Sequence, residues 1–225
     1  MNHSSLPYWL SLMVLLAASY GGWKWYQVEQ HQANRANGGI EFAGPPLQEF
    51  ELPERSGQTF RSADMRGKVW VTTFFFTTCP GPCKRLNERI KYMHNLEELQ
   101  EVVWVSVTVD PNADTIEVLQ QYADQFNADP ERWLFCRGDL KYIKRVGRDI
   151  MKLPVTWQGH NESAVVIDRT GKVRGMYDVT SISQSKKLEV LLRKCLAEAA
   201  PLDNAEAEAT RDRQESGVDR EPAAT

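Results

Sequence analysis

A chain of 225 residues is long enough for one domain of ordinary size, with residues left over at both ends. The net charge of -3 gives no basic field, which argues against a function in nucleic-acid binding. Four cysteines are too few for a small domain built around disulfide bonds, so these residues either belong to a core or carry chemistry.

The N-terminal segment, residues 1–26, has the features of a membrane anchor. No charged side chain precedes Lys24, and aromatic residues flank an apolar run at both ends, as in interfacial belts. The alternative is a cleaved signal peptide, for which Ala17, Ala18 and Ser19 offer small residues near a cleavage site. With either reading, the site chemistry described below places the domain on the periplasmic or extracytoplasmic side.

Two further segments are predicted to lie outside the domain. Residues 27–45 are polar and rich in glycine, which is typical of a linker. Residues 201–225 contain no aromatic residue and almost no branched apolar residue, so they cannot bury enough surface to offset the entropy of ordering. We therefore predict a disordered, polar and acidic C-terminal tail.

The remaining part, residues 46–200, alternates predicted strands with predicted helices. A short hairpin around Ser56-Gly57 precedes the buried strand Val69–Phe76, a helix that begins at Pro82 and the buried strand Val102–Val109. Asp110 to Asp114 offers caps for the next helix. The later elements are a helix carrying Ile116 and Phe126, strand Trp133–Cys136, helix Leu140–Ile150, a hairpin of Ser163–Asp168 with Val173–Tyr177, and a closing helix carrying Leu188 and Leu196.

Two cysteines stand where the first long buried strand meets its helix, in Thr77-Thr-Cys79-Pro-Gly-Pro-Cys83-Lys84. This placement, with the α/β order, predicts a thioredoxin-like three-layer fold with an N-terminal hairpin, preceded by one transmembrane helix.

Pro82 favours a helix start near Cys83, and the helix dipole at that end stabilises thiolate. Three intervening residues leave room for a third ligand, and soft thiolates select Cu(I), zinc or iron–sulfur clusters. A four-cysteine zinc or cluster site is not available here.

His160 is the candidate third ligand among the four histidines. It lies in a turn-like stretch just before the strand at Ser163, and in a thioredoxin-like fold the loop entering that strand faces the cysteine turn. Imidazole suits copper well. His3 and His31 lie in the N-terminal segments, and His94 is expected to be a partly exposed residue at the end of the cysteine helix.

The chain resembles the SCO/SenC family of copper-handling proteins over roughly Pro46–Ala199. The resemblance rests on four stretches: Phe74 to Cys83, Val107 to Pro111 with Asp114-Thr115, Trp133-Leu-Phe with Gly138, and His160 followed by Val165-Val-Ile-Asp168 and Gly171. It implies that Cys79, Cys83 and His160 bind one copper ion, and it leaves the choice between Cu(I) and Cu(II) open. It also implies a membrane-tethered metallochaperone, not an enzyme in the strict sense, that supplies the binuclear copper centre in the copper-bearing subunit of cytochrome c oxidase.

The chain departs from the family pattern next to each predicted ligand. Lys84 replaces the proline that usually follows the second cysteine, Gly81 replaces an acidic residue and Gly159 replaces the aspartate that commonly precedes the histidine. All three ligands are present, so these departures affect the expected copper affinity and preferred oxidation state.

Other functions use the same residues. In a membrane-anchored thiol-disulfide oxidoreductase, Cys79 and Cys83 would cycle between dithiol and disulfide and reduce the cysteines of the oxidase copper site, and such members also exist in the family. Another copper chaperone or a thioredoxin-like reductant is then a further expected partner.

A peroxiredoxin-like peroxidase is disfavoured because the strand before Cys79 lacks the proline of that active site. Copper sensing or storage stays open, whereas Cys136 and Cys195 are expected to be core residues.

Overall fold

The computed structural model describes residues 13, 16–17, 19–22, 24, 40–42, 44–159 and 162–199 of the chain. In the described part, the first strands follow one another, and the later strands mostly alternate with helices. The strands are β1 (Ile40–Glu41), β2 (Glu51–Pro53), β3 (Thr59–Arg61), β4 (Trp70–Phe75), β5 (Val103–Thr108), β6 (Trp133–Cys136), β7 (Ser163–Ile167) and β8 (Val173–Asp178). The α-helices are α1 (Pro82–His94), α2 (Ile116–Gln125), α3 (Leu140–Arg145) and α4 (Ile182–Ala197).

Six strands form one mixed sheet in the order β1-β8-β7-β4-β5-β6. β4 pairs in parallel with β5, and β5 with β6, whereas β7, β8 and β1 are joined by antiparallel pairings. All six residues of β4 and all six of β5 are buried, which explains their continuous apolar and β-branched sequences. The predicted buried strands are confirmed, each within one residue at either end.

The sheet lies between two layers of other elements. Trp70 and Phe75 are five positions apart in β4, so their side chains point to opposite faces of the sheet. Trp70 contacts the rings of Phe50 and Phe60 from the β2–β3 hairpin, while Phe75 stacks on Tyr122 of α2 at 5.3 Å between ring centroids. The predicted thioredoxin-like three-layer fold with an N-terminal hairpin is therefore confirmed.

Contacts between side chains place three helices together on the Phe75 face. Asn87 of α1 donates a hydrogen bond to the hydroxyl of Tyr122 in α2, and Arg89 of α1 donates one to Ser185 of α4. On the other face, α3 reaches the hairpin, since the backbone N–H of Glu51 donates to the Tyr142 hydroxyl. Helix α1, which follows the cysteine loop, is thus held on both of its flanks.

Three details differ from the sequence expectations. Residues Ile40–Glu41, which the sequence assigns to the linker, pair with β8 at the edge of the sheet. The predicted helix Leu140–Ile150 is α-helical only to Arg145 and continues as a π-helical turn over Val146–Ile150. The cap of α2 is Thr115, whose side chain accepts the Val118 N–H, and is neither Asp110 nor Asp114.

The predicted transmembrane helix is not seen. Within the part of the chain that the structure describes, no helix combines the length and the apolar character needed to span a bilayer. Most of residues 1–26, all of 27–39 and all of the predicted tail 201–225 lie outside the described residues. The anchor, the linker and the tail therefore stay predictions.

Candidate metal centre

The cysteine loop connects the carboxyl end of β4 to the start of α1. Gly81 occupies the position before the first helical residue and Pro82 begins the helix, as the sequence predicts. The N–H of Cys79 donates to the carbonyl of Phe76 at 3.3 Å, which closes a turn just before the helix. Cys79 therefore lies beside the N-terminus of α1 and Cys83 lies in its first turn.

The two cysteines are close together but differ in exposure. The backbone N–H of Cys83 donates to the sulfur of Cys79 at 3.3 Å, so the N-terminal sulfur caps the first turn of the helix. Cys83 is 4% exposed, while Cys79 is partly exposed. No disulfide joins any of the four cysteines, all of which belong to the described residues. A ligand from outside can thus reach Cys79 more readily than Cys83.

Burial raises the pKa of the Cys83 thiol to about 12, and its hydrogen bond with Cys79 acts in the same direction. The sequence predicted the opposite for this group, because the helix dipole favours thiolate. In the metal-free fold, desolvation outweighs the dipole, and the nearby cationic residues Lys84 and Arg85 are both exposed to solvent. Cys83 is therefore a protonated thiol at neutral pH, and a soft cation must displace its proton to bind there.

A buried carboxylate braces the chain that enters the cysteine loop. Asp114 is fully buried and accepts hydrogen bonds from both the backbone N–H and the hydroxyl of Thr77, two residues before Cys79. It also accepts a hydrogen bond from the hydroxyl of Thr108 at the end of β5. Asp114 thereby fixes the cysteine loop to the neighbouring strand. The sequence contained a signal for this role. Asp114 follows one parallel strand and Thr77 follows its neighbour, and the segments after two such strands meet at the same edge of the sheet.

His160, the predicted third ligand, lies outside the described residues. The residues that follow it enter β7, where Ala164 pairs with Thr73 of β4. Because β7 runs antiparallel to β4, β7 begins at the edge of the sheet where β4 ends in the cysteine loop. The carboxylate of Glu162 acts electrostatically on the Cys83 thiol, which also locates the start of this strand near the cysteines.

No metal-binding group of three or more histidine, cysteine, aspartate or glutamate side chains occurs among the described residues, which omit His160. The two sulfurs in contact are the soft donors that Cu(I) prefers, and they supply two of the predicted ligands. The described residues therefore supply two of the three ligands of a thiolate–imidazole copper site without completing it.

The other candidates lie in the core. Cys136 and Cys195 are both fully buried, in agreement with the sequence expectation. His94 is only 4% exposed, so its predicted partial exposure is wrong. It packs against the ring of Trp133, with 5.7 Å between ring centroids, at the far end of α1 from the cysteines.

The sequence model of the SCO1/SenC family matches residues 41–195, which is more than half of the chain. The chain belongs to the SCO1/SenC family. A SCO2-like protein of Rickettsia typhi, RT0576, is 29% identical over 135 residues, a match that covers 55% of this chain and 65% of that protein. A second Rickettsia relative is matched over half of its own length, so the chain spans less than two thirds of these relatives.

Solved structures with the same fold include several SCO proteins. A SCO1/SenC family lipoprotein from Bacillus anthracis has a TM-score of 0.63 at 26% identity, with 70% of this chain and 97% of that one covered. BsSco, described as a member of the Sco family of cytochrome c oxidase assembly proteins with a disulfide switch, has a TM-score of 0.62 at 18% identity, with 71% and 100% covered. Copper-bound ScoI of Bradyrhizobium japonicum has a TM-score of 0.52 at 20% identity, with 67% and 99% covered. The last two, below 25% identity, support the fold alone.

Proposed function

We propose that this SCO1/SenC protein is a copper metallochaperone that binds one copper ion through Cys79, Cys83 and His160. The observation that carries the proposal is the contact between the two cysteines at the start of α1, with β7 beginning at the same sheet edge. Two thiolates and one imidazole form a soft, low-coordinate donor set that suits Cu(I), and the imidazole also allows Cu(II). Copper bound to solved SCO structures supports the choice of metal.

The partial exposure of Cys79 suits transfer of the metal by ligand exchange. An acceptor cysteine or histidine can add to the copper ion beside Cys79 while Cys83 still holds it from the buried side. Binding of Cu(I) displaces the proton of the Cys83 thiol, and transfer returns a proton to that sulfur, so no electron is exchanged. Copper transfer by ligand exchange therefore requires no enzymatic catalysis of covalent bond formation.

The proposed acceptor is the copper-bearing subunit of cytochrome c oxidase. The description of BsSco as a member of a family of cytochrome c oxidase assembly proteins supports this acceptor. With residues 1–26 as a membrane anchor, the domain would face the periplasmic or extracytoplasmic side, where that subunit exposes its copper centre.

Copper titration of the reduced full-length protein tests the proposed ligand set. We expect one equivalent of Cu(I) to bind the wild type, with a loss of affinity of at least tenfold in Cys79→Ala, Cys83→Ala and His160→Ala. His31→Ala and Cys195→Ala are the matched controls and should bind like the wild type. Unchanged affinity in any of the three ligand variants would contradict the proposal.

A second candidate, a thiol-disulfide oxidoreductase, is favoured by the unequal exposure of the two cysteines. The sulfur of the partly exposed Cys79 could attack a partner disulfide to form a mixed disulfide, which Cys83 would then resolve, oxidising this pair and reducing the partner. A thioredoxin-like reductant would be needed to restore the dithiol.

Disulfide reduction without copper distinguishes the two functions. The protein would be an oxidoreductase if its metal-free form catalysed reduction of the oxidised copper-site cysteines of the oxidase subunit, and if the metal-free His160→Ala variant did so at the same rate. The chaperone proposal expects at most one stoichiometric reduction and a requirement for His160 in copper loading.

A further inference from the structure

Asp110 lies in the loop between β5 and α2 and is buried, with 4% of its surface exposed. Its two carboxylate oxygens accept hydrogen bonds from two consecutive side chains of a distant loop. Trp157 donates its indole N–H to Oδ1 at 3.2 Å, and Gln158 donates its side-chain amide to Oδ2 at 2.8 Å. His160 follows Gln158 by two residues in the chain.

The loop before His160 leaves the core after Val155, since Thr156 and Trp157 are exposed. The side chain of Trp157 is 54% exposed, so burial in the core does not fix the position of this residue. Gln158 adopts a φ of 47°, which an L-residue reaches only at an energetic cost. The hydrogen bonds to Asp110 are charge-assisted and hold the two side chains in this conformation.

The turn that ends this segment is also restricted. The N–H of Gly159 donates to the carbonyl of Thr156, and a Cβ atom at Gly159 would lie 2.1 Å from the Thr156 hydroxyl. Any side chain at position 159 would therefore require this turn to shift. Asp110 supplies a carboxylate to the same loop from a neighbouring strand end.

The loop that carries Asp110 also braces the cysteine side of the site. The carbonyl of Asp110 accepts the N–H of Asp114, whose carboxylate holds Thr77 before Cys79. One short loop thus holds, through its two carboxylates, the segments that lead into Cys79 and into His160.

We propose that Asp110 is a positioning residue that sets the approach of the His160 loop to the cysteine pair. Asp110 acts through Trp157 and Gln158 and is not itself a copper ligand. This inference rests on the proposed function, since it assumes that His160 binds the metal.

Three substitutions test the role of Asp110 in Cu(I) affinity of the full-length protein, measured by competition with a chelator. Asp110→Ala removes both acceptors and should weaken binding about tenfold. Asp110→Asn should remain within about threefold of wild type, because its amide can accept from Trp157 and donate to a rotated Gln158 amide. Trp157→Phe removes one donor at a largely exposed position and should weaken binding about threefold even if Asp110→Ala fails to fold.

The effect must depend on His160. In a His160→Ala background, Asp110→Ala and Trp157→Phe should cause no further loss of affinity, because the ligand they position is gone. The same loss in both backgrounds, full affinity in both Asp110→Ala and Trp157→Phe, or an Asn variant as weak as the Ala variant would overturn the positioning role. Unchanged affinity of His160→Ala itself would instead overturn the proposed ligand set, so the two failures are distinguishable.

Discussion

At the scale of single residues, the balance between burial and polar contacts decides the state of the site. Cys83 is kept protonated by burial although it lies in the first turn of a helix, while Cys79 is partly exposed and its sulfur accepts an N–H. Asp114, in contrast, is fully buried, and three groups donate hydrogen bonds to its carboxylate. The protonated thiol of Cys83 suits proton-coupled metal binding, and the hydrogen bonds to Asp114 hold the cysteine loop in place without metal.

Removal of the Asp114 carboxylate should destabilise the fold. Asp114→Ala leaves the Thr77 and Thr108 hydroxyls without their acceptor in a buried position, and we expect a loss of about 3 kcal/mol in the free energy of unfolding. Urea denaturation of the metal-free protein measures this loss. Asp124→Ala, at an exposed position of α2, should change stability by no more than about 0.5 kcal/mol, and equal stability of the two variants would contradict the bracing role.

His94 should make stability depend on pH. Burial lowers the pKa of this imidazole, partly offset by its contact with Asn95, while Arg132 lowers it and Asp129 raises it. Because the unfolded chain takes up the proton first, stability should fall as pH drops below the ordinary value of 6.5.

Replacement of His94 by phenylalanine checks this origin. His94→Phe keeps a ring against Trp133 and removes the titrating group, so the free energy of unfolding should depend less on pH between about 7 and 5. If the free energy of unfolding of His94→Phe changed with pH over this range as much as that of the wild type, other groups would cause the acid sensitivity.

At the scale of elements, the sequence predicted the strands, helices and hairpins because each burial pattern was complete within its own segment. The continuous apolar runs of β4 and β5 and the Gly-Pro start of α1 are examples. The pairing of β1 with β8 could not be predicted, since two residues in a polar segment carry no periodicity. The roles of Asp110 and Asp114 were also missed, because their partners lie 47 and 37 residues away in the chain.

The π-helical turn after α3 marks a site of close packing. A Cβ atom at Gly147 would lie 2.7 Å from Val155 and 2.8 Å from the Leu153 carbonyl, which belong to the segment leading toward Trp157. We expect Gly147→Ala to destabilise the protein by about 1–3 kcal/mol, because backbone must move to make room. Gly44→Ala has open space around its Cβ and should leave stability nearly unchanged in the same thermal or urea measurement.

If Gly147→Ala proved as stable as Gly44→Ala, the close approach at this turn would be contradicted. A destabilised Gly147→Ala variant would show that the position of the Leu153–Val155 segment depends on a residue without a side chain. From the sequence alone, Gly147 is only a glycine inside a predicted helix, where glycine lowers the stability of the helix.

At the scale of the whole molecule, the fold brings three loops to one edge of the mixed sheet. The carboxyl ends of the parallel strands β4 and β5 and the start of the antiparallel strand β7 meet there. This arrangement places the cysteine pair on a rigid helix start and leads the chain past His160 into the sheet. The chaperone function proposed for this SCO1/SenC protein depends on all three side chains binding one ion.

X-ray absorption spectroscopy of the Cu(I)-loaded, reduced full-length protein tests this dependence most directly. We predict two sulfur scatterers and one imidazole nitrogen around a single copper ion, and loss of the imidazole signal in His160→Ala. A spectrum with sulfur ligands alone, or one that is unchanged in His160→Ala, would contradict the three-ligand site.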